Sequence, residues 1–147
     1  MQLKSEEVFL TMNDVILNKT ATIERCVKRI HEVYEGNPDT LTDYTKQDSI
    51  ILNIQRACEA SIDLAMHIVS ERKLGVPKAS REAFKLLQDA GLIDETLAKT
   101  LMNMVGFRNI AVHDYHALQL EILQAILEKH INDFTQFTKV VLEIEAS

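Results

Sequence analysis

The segment LEILQAILEKHINDFTQFTKVVLEI, residues 120–144, decides the fold class. Leu120, Leu123, Leu127, His130, Phe134, Phe137, Val141 and Ile144 follow one another at alternating steps of three and four. That period places them on one face of an α-helix, the stripe that a helix buries in a bundle. The spacing predicts a single last helix, in which His130 is a buried, hydrogen-bonded histidine of the core or seam.

Working back toward the start, the same period returns. Asp94 is placed to cap a helix whose stripe is Leu97, Leu101 and Met104. Ser80 is placed to cap a short helix, 81–90, closed by Gly91. Before it lies a helix starting between Thr45 and Asp48 and broken by Leu74-Gly75-Val76-Pro77. Its apolar residues, from Ile50 through Ile54, Cys58, Ile62 and Ala65 to Val69, cover more than one face, as suits a helix packed on two sides. The first helix is expected to begin at a box from Thr11 to Asp14 and to carry Ile16, Thr20, Ile23, Val27, Ile30 and Tyr34 on one face. Glu35-Gly36-Asn37-Pro38 ends it. Four glycines and two prolines in 147 residues leave few turns for an all-β fold. The expectation is an all-α, antiparallel bundle of four to five helices in one domain, 1–147, with residues 1–11 a loosely held lead-in.

Bulk properties narrow the function. The net charge of −6 is the opposite of a protein that grips duplex DNA through a broad basic face, so any nucleic-acid chemistry must be local. Cys26 and Cys58 stand alone, without a CxxC or Cys/His cluster, and read as core residues of a reducing compartment. No run of about 18 apolar residues suggests a membrane span. The start, MQLKSEEVFL, lacks the pattern of a secretory signal, so a cytoplasmic protein is expected. Paired Glu-x-x-His motifs, HExxH, G-x-G-x-x-G, the P-loop and G-x-S-x-G are all missing, and neither a metal nor a cofactor is expected. Asp63 and His67, four apart, suit a hydrogen bond better than a metal site, and the HxxH of His113 and His116 has no second cluster beside it.

One stretch carries possible chemistry: VGFRNIAVHDY, residues 105–115. Arg108 falls where the stripe of Leu97, Leu101 and Met104 places its next member. A charge there is either aimed into a cleft between helices or snorkels to a carboxylate such as Glu59 or Asp63. Five residues of α-helix turn through about 500° and rise roughly 7.5 Å, so Arg108 and His113 point about 140° apart. Either the helix ends between them, or groups from two chains meet across a symmetric interface. The residue types suit phosphodiester cleavage without metal. An imidazole exchanges a proton with the ribose 2′-hydroxyl or the leaving oxygen, and a guanidinium holds the charge that builds on the phosphoryl oxygens. A tyrosine orients a phosphate or stacks on a base, and Asn109 adds a polar donor and acceptor. Such chemistry needs a 2′-hydroxyl and therefore selects RNA.

The pattern Arg108-x4-His113-x-Tyr115, inside MVGFRNIAVHDY, resembles the signature of the HepT-like branch of the HEPN superfamily. Likeness extends upstream to QDSIILNIQRACEASIDLAMHI and to the region of Met12-Asn13-Asp14, nearly the whole chain from about residue 12. The resemblance implies a homodimer whose two motif segments form a ribonuclease cleft, acting as a toxin on single-stranded RNA such as tRNA or mRNA. It implies Arg108 and His113 as catalytic residues; Asn109, Glu59 and Asp63 are weaker, supporting candidates beside them. It also implies a minimal nucleotidyltransferase antitoxin that transfers AMP from ATP to Tyr115, which is a phosphate contact as well. Added negative charge there would repel an RNA phosphate. The residues alone leave two other readings open: a non-catalytic nucleotide-binding partner of a separate nucleotidyltransferase, and a structural bundle with Arg108 paired in its core.

Overall fold

In the computed structural model the backbone is described from residue 2 to residue 146, and side chains from Asp14 onward. The expected loose hold of residues 1–11 and the capping role of the Thr11 side chain lie outside the described side chains. The helical backbone does, however, already pass through Thr11, because α1 spans Gln2–Tyr34.

Among the described residues six α-helices follow one another: α1, α2 (Tyr44–Glu71), α3 (Ser80–Asp89), α4 (Glu95–His113), α5 (Leu120–Lys129) and α6 (Ile131–Ala146). Short 3-10 turns at Pro38–Thr42 and Tyr115–Ala117 join α1 to α2 and α4 to α5. Among the described residues there is no strand. α2 is the centre of the bundle, packed against α1, α3, α4 and α6. Its buried residues Ile50, Ile54, Cys58, Leu64, Ala65 and Ile68 therefore face several neighbours, as a helix apolar on two sides must.

The ends of the helices follow local chemistry. α1 stops where Glu35 and Gly36 turn left-handed, with φ of 52° and 68°, and the Thr40 hydroxyl donates to the Tyr34 carbonyl at 3.1 Å. Asp43 caps α2 by accepting from the Thr45 and Lys46 amides, at 3.0 and 3.2 Å. Asp94 caps α4 by accepting from Leu97 N at 2.7 Å, as the sequence leads one to expect. α3 differs. Its N-cap is Ala79, which has no side chain to cap with, and Ser80 is already helical; instead Glu82 reaches back to accept from Lys78 N at 3.0 Å. At the other end of α3, Gly91 N donates to Gln88 O and Leu92 N to Leu87 O, at 2.9 and 3.0 Å, closing it in a Schellman motif.

The stripe of residues 120–144 is divided between two helices. Leu123, Leu127, Phe134, Phe137 and Val141 are buried as the period demands, with Phe137 edge-on to Phe84 at a centroid distance of 5.7 Å. The chain nevertheless breaks at His130, so the bundle has one helix more than periodicity alone predicts. The break falls in Lys129-His130-Ile131-Asn132-Asp133, where Asn and Asp favour helix ends over helix interiors. His130 itself is only partly buried, with its Nδ1 3.0 Å from Asp133 Oδ2, so it fastens a corner and does not fill the core. Both cysteines are buried and free. No described helix is long and apolar enough to cross a membrane.

Candidate active site at the end of the fourth helix

α4 carries Leu97, Leu101 and Met104 fully into the core, and Arg108 follows them one turn later, half-buried. The guanidinium lies close enough to Cys58 of α2 to act on its thiol. Burial pushes that thiol well above its ordinary value, and the nearby Arg108 charge opposes the shift. Cys58 Sγ donates to the Met104 carbonyl at 3.4 Å, tying α2 to α4 just below the arginine.

What Arg108 lacks is a carboxylate. Among the described residues it forms no ion pair, and its Nε is buried with no hydrogen-bond partner. The two acids in reach by sequence are otherwise engaged. Glu59 accepts from Gln55 Nε2 at 3.2 Å, and Asp63 lies 3.0 Å from Lys19 Nζ. Asp63 does not meet His67 either, whose Nε2 is 2.8 Å from Glu71 Oε2. An unpaired donor held in a half-buried position is costly, by about 1–3 kcal/mol, unless an anion satisfies it.

His113 is the last residue of α4 and is exposed, as is Asn109. The helix therefore does not end between Arg108 and His113. It ends after His113, at Asp114, whose N–H still donates to Ile110 O at 2.8 Å. Ideal helical rotation thus holds, and within one chain Arg108 faces α2 while His113 points about 140° away.

Tyr115 opens the 3-10 turn that follows, 39% exposed, and its hydroxyl donates to Asp48 Oδ1 at the start of α2. Partial burial, then the Asp48 hydrogen bond and charge, push the phenol up to about 12. Asp48 is the residue that sequence reading missed. A signal existed: Asp48, Gln55 and Glu59 recur at steps of seven and four on a helix otherwise apolar on two sides. Among the described residues no group of His, Cys, Asp or Glu is arranged to hold a metal ion.

A separate groove of about 350 Å³ runs between α4 and α5, walled by Met104, Phe107, Ile110, Leu118, Ile122 and Ile126. None of the motif side chains lines it.

Residues 23–141 match the family described as Ribonuclease HepT-like. The chain belongs to that family. It is 51% identical over 130 residues to the mRNA nuclease HepT of Shewanella oneidensis, a match covering 88% of this chain and 98% of the relative. Among solved structures it resembles the tri-AMPylated HEPN toxin of Shewanella oneidensis in complex with MNT antitoxin. There the TM-score is 0.84 at 50% identity, covering 92% of this chain and 99% of that one. A toxin–antitoxin crystal structure with AMP-PNP gives a TM-score of 0.83, also at 50% identity, over 88% of this chain and 98% of the other. Within that family's all-helical fold, the R-x4-H-x-Y segment of this chain runs from Arg108, beside Cys58 in the middle of α2, to Tyr115, at Asp48 near its start.

Proposed function

We propose that this HepT-like chain is the toxin of a toxin–antitoxin pair, a cytoplasmic, metal-independent endoribonuclease that works as a homodimer. The observation that carries the reading is Arg108: half-buried beside Cys58, with a buried Nε and no carboxylate partner among the described residues. In this role the guanidinium holds the phosphoryl oxygens as they gain charge. The 2′-oxygen attacks phosphorus, the 5′-oxygen leaves, and a 2′,3′-cyclic phosphate remains.

The unbroken helix between Arg108 and His113 supports the dimer. Because the two side chains diverge along one α4, a site that uses both on one phosphate is completed by a second protomer. A symmetric pair also supplies two His113 imidazoles, one to take the 2′-hydroxyl proton and one to protonate the leaving oxygen. Asn109, on the exposed arc of α4 between them, is a supporting contact; Glu59 and Asp63, engaged with Gln55 and Lys19, have the smaller part.

Tyr115 is the proposed site of AMP transfer by a minimal nucleotidyltransferase antitoxin. Its oxygen attacks the α-phosphorus of ATP and pyrophosphate leaves. A phenol pushed up to about 12 is protonated at neutral pH and needs a base, and Asp48 already accepts its hydrogen bond. The bulk and negative charge so added sit at the mouth of the cleft and exclude RNA.

The test is cleavage of single-stranded RNA by purified protein in EDTA, with ends analysed for cyclic phosphate, beside growth on expression. Wild type is expected to cleave and to arrest growth, and Arg108→Ala and His113→Ala to do neither. If both variants remain as active as wild type, the site is wrongly assigned. Unchanged intact mass after incubation with antitoxin and ATP removes the Tyr115 assignment.

A further inference from the structure

A second concave surface lies on the opposite side of α2 from α4. Between α1 and α2 a groove of about 520 Å³ is lined by Arg25, Arg29 and Arg56, with Thr22, Ser49 and Asn53 on its walls. On a chain with 22 acidic and 16 basic residues, three arginines converging from two helices are out of proportion. Arg25 and Arg29 stand four apart on α1 and repel each other, and Arg56 approaches from α2.

A carboxylate compensates only one of the three. Arg29 Nη1 lies 3.6 Å from Glu32 Oε2, and Arg25 and Arg56 form no ion pair among the described residues. Both line the groove together with Cys26, and both lie near enough to its thiol to oppose the upward shift that burial causes. Thr22 donates to Asn18 O and Asn53 gives one amide hydrogen to Ser49 O, which leaves the Ser49 hydroxyl and the second Asn53 hydrogen as neutral donors of the kind phosphate contacts use. Leu52, 42% exposed on the rim, offers an apolar surface to a base or sugar.

Placement gives the occupant. Ser49 follows Asp48, the partner of Tyr115, and Arg56 lies eight residues farther along α2 than Asp48, a rise of about 12 Å. The Ser49 end of the groove thus adjoins the residue that holds Tyr115, while its Arg56 end lies on the face of α2 turned away from Cys58 and Arg108. We infer that Arg25, Arg29 and Arg56 form a phosphate-binding track that holds the single-stranded RNA flanking the cleavage point. The inference rests on the ribonuclease reading above, and it explains how an acidic protein keeps hold of a polyanion: by one short basic groove.

The experiment compares wild type with Arg25→Gln/Arg56→Gln, and with Lys78→Gln/Arg81→Gln as a control of equal charge change on exposed residues elsewhere. Substrates are a labelled twelve-nucleotide RNA and a dinucleotide too short to reach the groove. The groove variant is expected to lose on the order of tenfold in kcat/KM on the long RNA and to cleave the dinucleotide as wild type does. Its log–log salt dependence of oligonucleotide binding becomes shallower by about 1.4, at about 0.7 for each single-strand phosphate contact removed. The control variant keeps the wild-type slope. Equal cleavage of both lengths with an unchanged slope overturns the inference. So does weaker antitoxin binding with oligonucleotide binding intact, which makes the groove a protein-docking surface. If wild type cleaves neither substrate, the ribonuclease reading fails on its own, and the binding slope alone decides the groove.

Discussion

Replacing Arg108 by Met separates an arginine kept for function from one kept for stability. Met preserves an unbranched stem of similar reach, so the packing against α2 near Cys58 is largely retained and no large cavity opens. What disappears is a buried Nε without a partner, whose desolvation costs about 1–3 kcal/mol. Some of Arg108 is in contact with solvent, and the hydration of those outer nitrogens is lost as well, so the net gain is at the low end, about 1 kcal/mol. For a domain of this size that raises Tm by about 3 °C. Cleavage should fall by about 10²–10³-fold, the usual loss when one donor to a transition-state oxyanion is removed. Thermal unfolding at one fixed protein concentration, so that assembly contributes equally, measures the first quantity, and initial rates on labelled RNA the second. A paired core arginine predicts the reverse sign: breaking a buried ion pair costs about 3–5 kcal/mol and lowers Tm by roughly 10 °C. A marked fall in Tm, or cleavage within a few-fold of wild type, refutes the reasoning.

Other consequences follow from the same geometry. Tyr115 should ionise near 12, and Asp48→Asn should bring it down toward the ordinary phenol value without reaching it, since burial, the larger cause, stays; ultraviolet titration against Tyr115→Phe reads this. Because the folded-state value is raised, its contribution to stability is full below about 10 and is lost as pH climbs through about 12. Phe137→Ala removes the edge contact with Phe84 from a fully buried position and should cost about 3–5 kcal/mol in urea unfolding; a loss under 1 kcal/mol contradicts the packing. Burial raises both cysteine thiols, so native protein should react with a thiol reagent far more slowly than protein in denaturant. Gly75 has φ of +139° and a Cβ there would meet Leu86 at 3.3 Å, so Gly75→Ala should lower Tm more than Gly91→Ala, where φ is +75° and the space is open.

Periodicity by itself determined that the chain is helical, which faces are buried and where α4 begins, because a stripe of steps of three and four and an Asp cap are local facts. Residue types and order likewise single out Arg108, His113 and Tyr115 as the proposed site. Tertiary structure decided what local rules leave undetermined. Sequence spacing carries a stripe straight through His130; the structure breaks it there into α5 and α6, where Asn and Asp make a helix end cheap. Spacing also allows Arg108 to reach Glu59 or Asp63, but each carboxylate has another partner, and only the fold could show the arginine left unpaired. Asp48 and Tyr115 are 67 residues apart, and no reading along the chain brings them together. A contact between the second turn of α2 and the second residue past α4 is a property of how two helices cross.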